Sequence, residues 1–314
     1  MARIPRLKVI DENACYHIIS RTVGQEFLLG ENEKEKLFHI IKKYSELFFV
    51  KVIGFAIMSN HFHLLVCMET GENCSDREVI ERLKKFYEKK DLKLGDLTGI
   101  RNKLRDLSEY IKCIKQTFSF WYNRRNNRKG YFWCERFKSV LIEKGEGLLN
   151  CLGYIDLNPV RAGIVRCPED YRWCSLWYRV KTKNRDGFLD FGGIFETDSA
   201  ARLRQYRGFV YRAGGIEEEA RDHGRIYKSI LAAETKSGYV LPGGDVFRKR
   251  LRSFSDGLVL GSEGFIRDAY DRFSGQIFFK KERRVHEAVT GGRIFSIRRL
   301  TSFNPADPFG LLKP

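Results

Sequence analysis

Two apolar runs separated by a two-residue polar break, residues 49–58 and 61–67, constrain this chain more than any other stretch. Each has strand length, and Ser59-Asn60 between them suits a turn or bulge, so the second run returns beside the first. Upstream, residues 16–22 alternate in β fashion. Within 31–49, apolar residues at Leu37, Ile40, Ile41 and Tyr44 carry helical spacing. Strand, helix, strand, strand is the opening half of an α+β ferredoxin-like sandwich, an antiparallel sheet with helices packed on it.

The later pattern extends this layout. A helix is expected over 75–89. A longer one is expected from Leu104 to Trp121, where Leu107, Ile111, Ile114 and Phe118 recur every three or four positions. Residues 124–130 form a basic turn, 131–142 an extended aromatic segment leading into a strand, and 147–158 a short helix ended by Pro159. Residues 182–200 are charged, glycine-bearing and aperiodic, which marks a linker. The expected organisation is one domain over 1–181, a linker over 182–200, and a basic, mostly helical extension over 201–314.

Charge narrows the partners. The net charge is +17, and it is unevenly placed: residues 1–100 carry 16 Lys/Arg against 15 Asp/Glu, residues 101–181 carry 17 against 8, and residues 201–314 carry 22 against 13. Two basic blocks on one chain predict a polyanionic partner, because neutralising phosphates releases their counterions. A lipid surface fits less well, since the compact polybasic and amphipathic layout of membrane anchors is missing. No apolar run reaches the length of a membrane span and the first residues lack a signal-peptide core, so a cytoplasmic location is expected. The eight cysteines include no Cys-x-x-Cys pair. Several lie in apolar runs, which predicts reduced, buried thiols.

Two residue groups carry chemistry. His61 and His63 lie two apart in a strand and therefore share a face with Leu65 and Cys67. They read either as half of a divalent-metal site or as strand-end residues bonded to backbone. Tyr154 and Asn158, four apart on the short helix, project from one helix face. Tyr154 reads as an amphipathic core-edge residue or as a nucleophile toward a phosphodiester. His39, His223 and His286 are expected to be structural or exposed.

Together these segments resemble a family. His61-Phe62-His63 is similar to the His-hydrophobic-His signature of the HUH superfamily of single-strand DNA nucleases. The run Tyr154-Ile-Asp-Leu-Asn-Pro-Val-Arg-Ala-Gly163 resembles the block around the catalytic tyrosine of its single-tyrosine transposases. Gly130-Tyr-Phe-Trp-Cys-Glu-Arg-Phe-Lys-Ser139, Pro168-Glu-Asp-Tyr-Arg-Trp-Cys-Ser175 and the Tyr16-His17 strand fit the same group. The REP-associated tyrosine transposases are the best match, over about residues 14–180. More loosely, Asp256-Gly-Leu-Val-Leu-Gly-Ser-Glu-Gly-Phe265 resembles the C-terminal extension of longer members.

The resemblance implies a transposase that cleaves and rejoins single-stranded DNA at hairpin-forming, REP-like palindromes, acting as monomer or homodimer. It implies Mg²⁺ or Mn²⁺ on His61 and His63, with Asn158 as the third ligand unless that residue caps the helix. Tyr154 would attack to form a covalent 5′-phosphotyrosine. Arg124, Arg125, Arg128, Lys129, Arg136, Lys138 and Arg161 are expected phosphate contacts, with Tyr131, Phe132 and Trp133 as base-stacking partners or as core. A domesticated, non-catalytic DNA-binding regulator on the same fold is the alternative. A replication initiator or relaxase would share the histidine pair, but the 158–163 block is similar to the transposases. A nuclease using water would not need Tyr154.

Overall fold

The computed structural model describes residues 6–70, 74–89, 95–195, 199–215, 254, 257–273, 285–287 and 294–298. The chain opens with strand β1 (Ala14–Arg21), helix α1 (Glu31–Leu47) and the hairpin β2 (Val50–Ile57) and β3 (His61–Met68). Helices α2 (Asp76–Tyr87), α3 (Leu97–Leu104) and α4 (Leu107–Arg125) lead to β4 (Lys138–Ile142). Two short helices follow, α5 (Glu146–Asp156) and α6 (Asn158–Arg161), and then α7 (Ser175–Lys181).

The strands stack in the order β2-β3-β1-β4, each antiparallel to its neighbour, which is the expected ferredoxin-like arrangement. One face packs on helices: Phe38 of α1 lies 5.3 Å from Phe55 of β2, and Phe118 of α4 meets Trp133, which meets Phe62 of β3 at 5.4 Å. The other face receives α5. Its close approach depends on Gly54, which sits beside a register shift in β2. A Cβ there would stand 2.2 Å from Leu152 Cδ1 and 3.0 Å from Ser175 Oγ. Gly54→Val should therefore lower stability by about 2–3 kcal/mol through overpacking, read as a shifted midpoint in urea melts.

Two helix boundaries moved for local reasons. The helix expected from Leu104 is divided, because the Asp106 carboxylate accepts from the Ser108 and Glu109 amides and so caps a new start at Leu107. Pro159 ends α5 as expected but also opens α6, since proline suits the first turn of a helix.

The described part of 201–314 holds helices as expected, α8 (Ser199–Gly215) and α9 (Glu263–Phe273), and also strands that the periodicity did not reveal. These are β5 (Gly257–Gly261), β6 (Val285–Glu287) and β7 (Phe295–Arg298). β5 pairs parallel to β4, and β7 and β6 follow it, making one seven-stranded sheet. Residues 189 and 190 pair with β2 at Val52: Leu189 bridges to it, Asp190 N donates to Val52 O, and the Asn184 amide brackets the Leu189 backbone. Cys15 and Cys67, directly opposed across β1 and β3, form a disulfide, against the expectation of reduced thiols; the pairing is set by strand register between positions 52 residues apart, which spacing along the chain does not show. No helix among the described residues is long and apolar enough to cross a membrane.

Candidate active site

Strand register assembles one face of the sheet. Across β1 and β3, Arg21 opposes His61, Ile19 opposes His63 and His17 opposes Leu65. Opposed residues share a face and alternate residues return to it, so three imidazoles from two strands meet there. The His61 and His63 rings lie 4.9 Å apart and the His17 and His63 rings 5.1 Å apart. His63 and His17 are buried and His61 is partly so.

Helix α5, held down at Gly54, places the Tyr154 ring 5.8 Å from the His63 ring and 5.9 Å from the His17 ring, edge-on to both. The Arg161 guanidinium lies 5.1 Å over the Tyr154 ring, and its Nη1 donates to the Tyr154 carbonyl at 3.2 Å. Phe254, from the C-terminal third of the chain, stacks on the phenol, with ring centroids 5.0 Å apart and planes 13° apart.

Burial sets the charge of the cluster. It pushes the His17 imidazole down from 6.5 to about 4. Burial, with help from Arg21, does the same to His61, again to about 4. Burial first, then His61, His17, Arg21 and Arg161, hold His63 well below its ordinary value. All three rings are neutral at pH 7, as a metal ligand must be. The histidines of the unfolded chain take up protons below about pH 6.5, whereas His17 and His61 resist until about pH 4. Metal-free protein should therefore lose stability steadily across that window. His17 alone accounts for roughly 3 kcal/mol at 1.36 kcal/mol per unit. Urea melts at pH 7.5 and pH 4.5 check this.

Asp156, two residues after Tyr154, is a second focus. It is buried and accepts from Ser175 Oγ at 2.6 Å, Leu176 N at 2.9 Å and Tyr206 Oη at 2.5 Å, which ties α5 to α7 and α8. Burial raises its carboxyl to about 6 against those donors.

The expected site residues divide into two places. His61, His63, Tyr154 and Arg161 converge as described. Lys138 opens β4 opposite Ile19 and so faces the same side of the sheet. Asn158 lies at the α5–α6 junction, where its amide nitrogen donates to the carbonyls of Tyr154 at 3.0 Å and Ile155 at 3.3 Å, the helix-end role already weighed against metal ligation. Arg124, Arg128, Lys129 and Arg136 instead line a groove of about 1310 Å³ between α4 and the 128–137 segment, which also takes in Arg6, Lys112 and Lys115. Arg125 lies over Trp121. Tyr131 is 88% exposed beside this groove, whereas Phe132 and Trp133 are core. Phe120, 80% exposed on the same groove, had no signal of its own in a helix whose neighbours are apolar. His39 is exposed and pairs with Glu35. His223 and the His286 side chain lie outside the described residues.

Residues 11–91 match the family model of the IS200-like transposases. The matched segment holds β1, α1, β2 and β3, and with them all three histidines. Among solved structures, the chain is similar to a REP-associated tyrosine transposase bound to a REP hairpin, with 14% identity, a TM-score of 0.41, and coverage of 63% of this chain and 96% of that one. A Deinococcus radiodurans protein provisionally assigned as a transposase is similar at 12% identity and a TM-score of 0.26, over 46% of this chain and 88% of that one. No curated protein matches the chain.

His17 is the site residue that sequence reasoning missed. In the sequence it stands only as part of the opening strand, although a histidine alternating with apolar residues is a detectable signal once β1 is placed next to β3.

Proposed function

We propose that this IS200-like chain is a REP-associated tyrosine transposase, cleaving and rejoining single-stranded DNA at hairpin-forming repeats through a covalent phosphotyrosine. The observation that carries this reading is the placement of the Tyr154 ring against the paired histidines of the family-matched segment. A phenol that served only to fill core would not need two neutral imidazoles and a guanidinium around it.

Imidazole donors fit Mg²⁺ or Mn²⁺ in a site completed by phosphate oxygens and water. Among the described residues, no group of three His, Cys, Asp or Glu side chains is spaced to hold a metal unaided. His61 and His63 are the two protein ligands in this reading. Bound there, the ion would neutralise phosphate oxygens and make the phosphorus more electrophilic.

This chain's residues supply the rest. Tyr154 Oη forms a bond to phosphorus and its proton passes to water. The bond from phosphorus to the 3′ oxygen breaks, and that oxygen takes a proton from water and leaves as a hydroxyl, with the 5′ phosphate on tyrosine. Arg161, against the ring, sets a positive charge beside the reacting phenol. A 3′-hydroxyl attacking the phosphotyrosine reverses the balance, releases the phenol and joins strands, so cleavage and transfer use one chemistry. The α4 groove, with its basic wall and the exposed Phe120 and Tyr131, suits a single strand or hairpin stem.

The test is incubation of the protein with labelled single-stranded hairpin DNA carrying REP-like palindromes, with and without Mn²⁺, on a denaturing protein gel. Label at protein mass that disappears with chelator supports the reading. Specific hairpin binding without label at protein mass favours the non-catalytic regulator.

A further inference from the structure

We propose that His17 is a positioning residue, which fixes the tautomer of His63 through a directed hydrogen-bond chain anchored on the Phe254 carbonyl; this rests on the reading of His61 and His63 as metal ligands.

The direction of the chain follows from donor chemistry. His17 Nδ1 lies 2.7 Å from the Phe254 carbonyl oxygen, which can only accept, so the proton of His17 sits on Nδ1. His17 is fully buried and its hydrogen-bond partners are a carbonyl and a second imidazole, with no carboxylate to hold a buried imidazolium, which leaves Nε2 with a lone pair. That Nε2 lies 2.9 Å from His63 Nδ1, so His63 must donate from Nδ1, and its own Nε2 is the nitrogen left with a lone pair.

His61 reaches the same state by a different route. Its Nδ1 lies 2.6 Å from Asn60 Oδ1. The Asn60 amide is oriented by its Nδ2, which donates to the Gln25 carbonyl at 3.1 Å, so oxygen faces the ring. His61 therefore also carries its proton on Nδ1 and keeps Nε2 open. Two independent acceptors thus leave both histidines with the same nitrogen open. Outer hydrogen bonds of this kind set which nitrogen of a histidine can ligate. His63 differs from His61 in having a third histidine as its acceptor, held in turn by the C-terminal part of the chain.

Long-range ¹H–¹⁵N correlation spectra of the metal-free protein at pH 7.5 read the tautomers directly. Wild-type His63 and His17 should both be protonated at Nδ1. His17→Leu removes the acceptor, and should move the His63 proton to Nε2 and weaken Mn²⁺ binding about 10- to 100-fold, measured by the electron paramagnetic resonance signal of free Mn²⁺. His17→Gln returns an acceptor oxygen near the lost Nε2, and should restore both the Nδ1 tautomer and most of the affinity. Protonation of wild-type His63 at Nε2, or an unchanged His63 tautomer in His17→Leu, overturns the proposal, and the wild-type spectrum decides even where the leucine variant fails to fold. The predicted tautomers together with no Mn²⁺ binding by wild type would retain the hydrogen-bond chain and remove the metal reading instead.

Discussion

Tyr154→Phe should leave the protein folded and abolish covalent attachment to DNA, lowering strand cleavage by at least about three orders of magnitude. The substitution removes one oxygen and keeps the ring. That ring is what packs: it stacks on Phe254 and presents its edge to His17 and His63, contacts that phenylalanine repeats. These ring contacts persist in the variant, so it should still melt cooperatively, and the two readouts separate a nucleophile from a core residue. Hairpin binding should also survive, since the basic groove is formed by α4 and the 128–137 segment. The check is a denaturing gel for the adduct beside a melt of the same preparation. Full cleavage by the variant would reassign the chemistry to a metal-activated water.

Asp156→Ala should be the most damaging single change for the stability of the site, by about 3 kcal/mol. It strands three buried donors, Ser175 Oγ, Leu176 N and Tyr206 Oη, each worth about 1–3 kcal/mol when left unpaired. Part of that loss is offset because a buried carboxylate no longer has to be held charged. The isostere Asp156→Asn separates the two effects. The folded carboxyl titrates at about 6 and the unfolded one near 3.8, so the native protein binds the proton more tightly. The benefit of the aspartic acid is complete below about pH 3.8 and is lost as pH rises through about 6. Asp156→Asn should thus cost more at pH 5 than at pH 7.5, by about 1 kcal/mol, in paired urea melts. The histidine losses in the same range cancel between the two proteins. Because Asp156 lies two residues from Tyr154 and ties α5 to α7 and α8, the alanine variant should also lose adduct formation.

Local pattern made the first half of the site legible. A period of two put His61 and His63 on one face, and the short apolar helix put Tyr154 where it could meet them. Both inferences needed only neighbours within a few residues. What stayed hidden depends on pairing between distant segments. His17 enters through the β1–β3 register, the Cys15–Cys67 link through the same ladder, and Phe254 through a contact 237 residues from its partner His17. The division of the expected long helix was written at Asp106, a capping residue, but a periodic count of apolar positions passes over it. The basic residues that charge groups together fall in two places. Arg161 and Lys138 face the histidines, while Arg124, Arg128, Lys129 and Arg136 form the groove, because sequence proximity to a motif does not say which side of a sheet a side chain takes.

The parallel pairing of β5 with β4 bears on how this protein can be cut or recombined. A gene shortened after position 181 would read as a tidy catalytic module. Its product would instead present the bare rim of β4, four buried residues of a five-residue strand, to any other chain with an open backbone. It would also lack the carbonyl on which His17 leans. Shuffling the last third between relatives, or tagging the protein at an internal junction near residue 190, is therefore a change to the sheet itself. A fusion is better tolerated where no strand must be broken to make it, and the boundary that matters is set by hydrogen bonds rather than by the composition of the connecting segment.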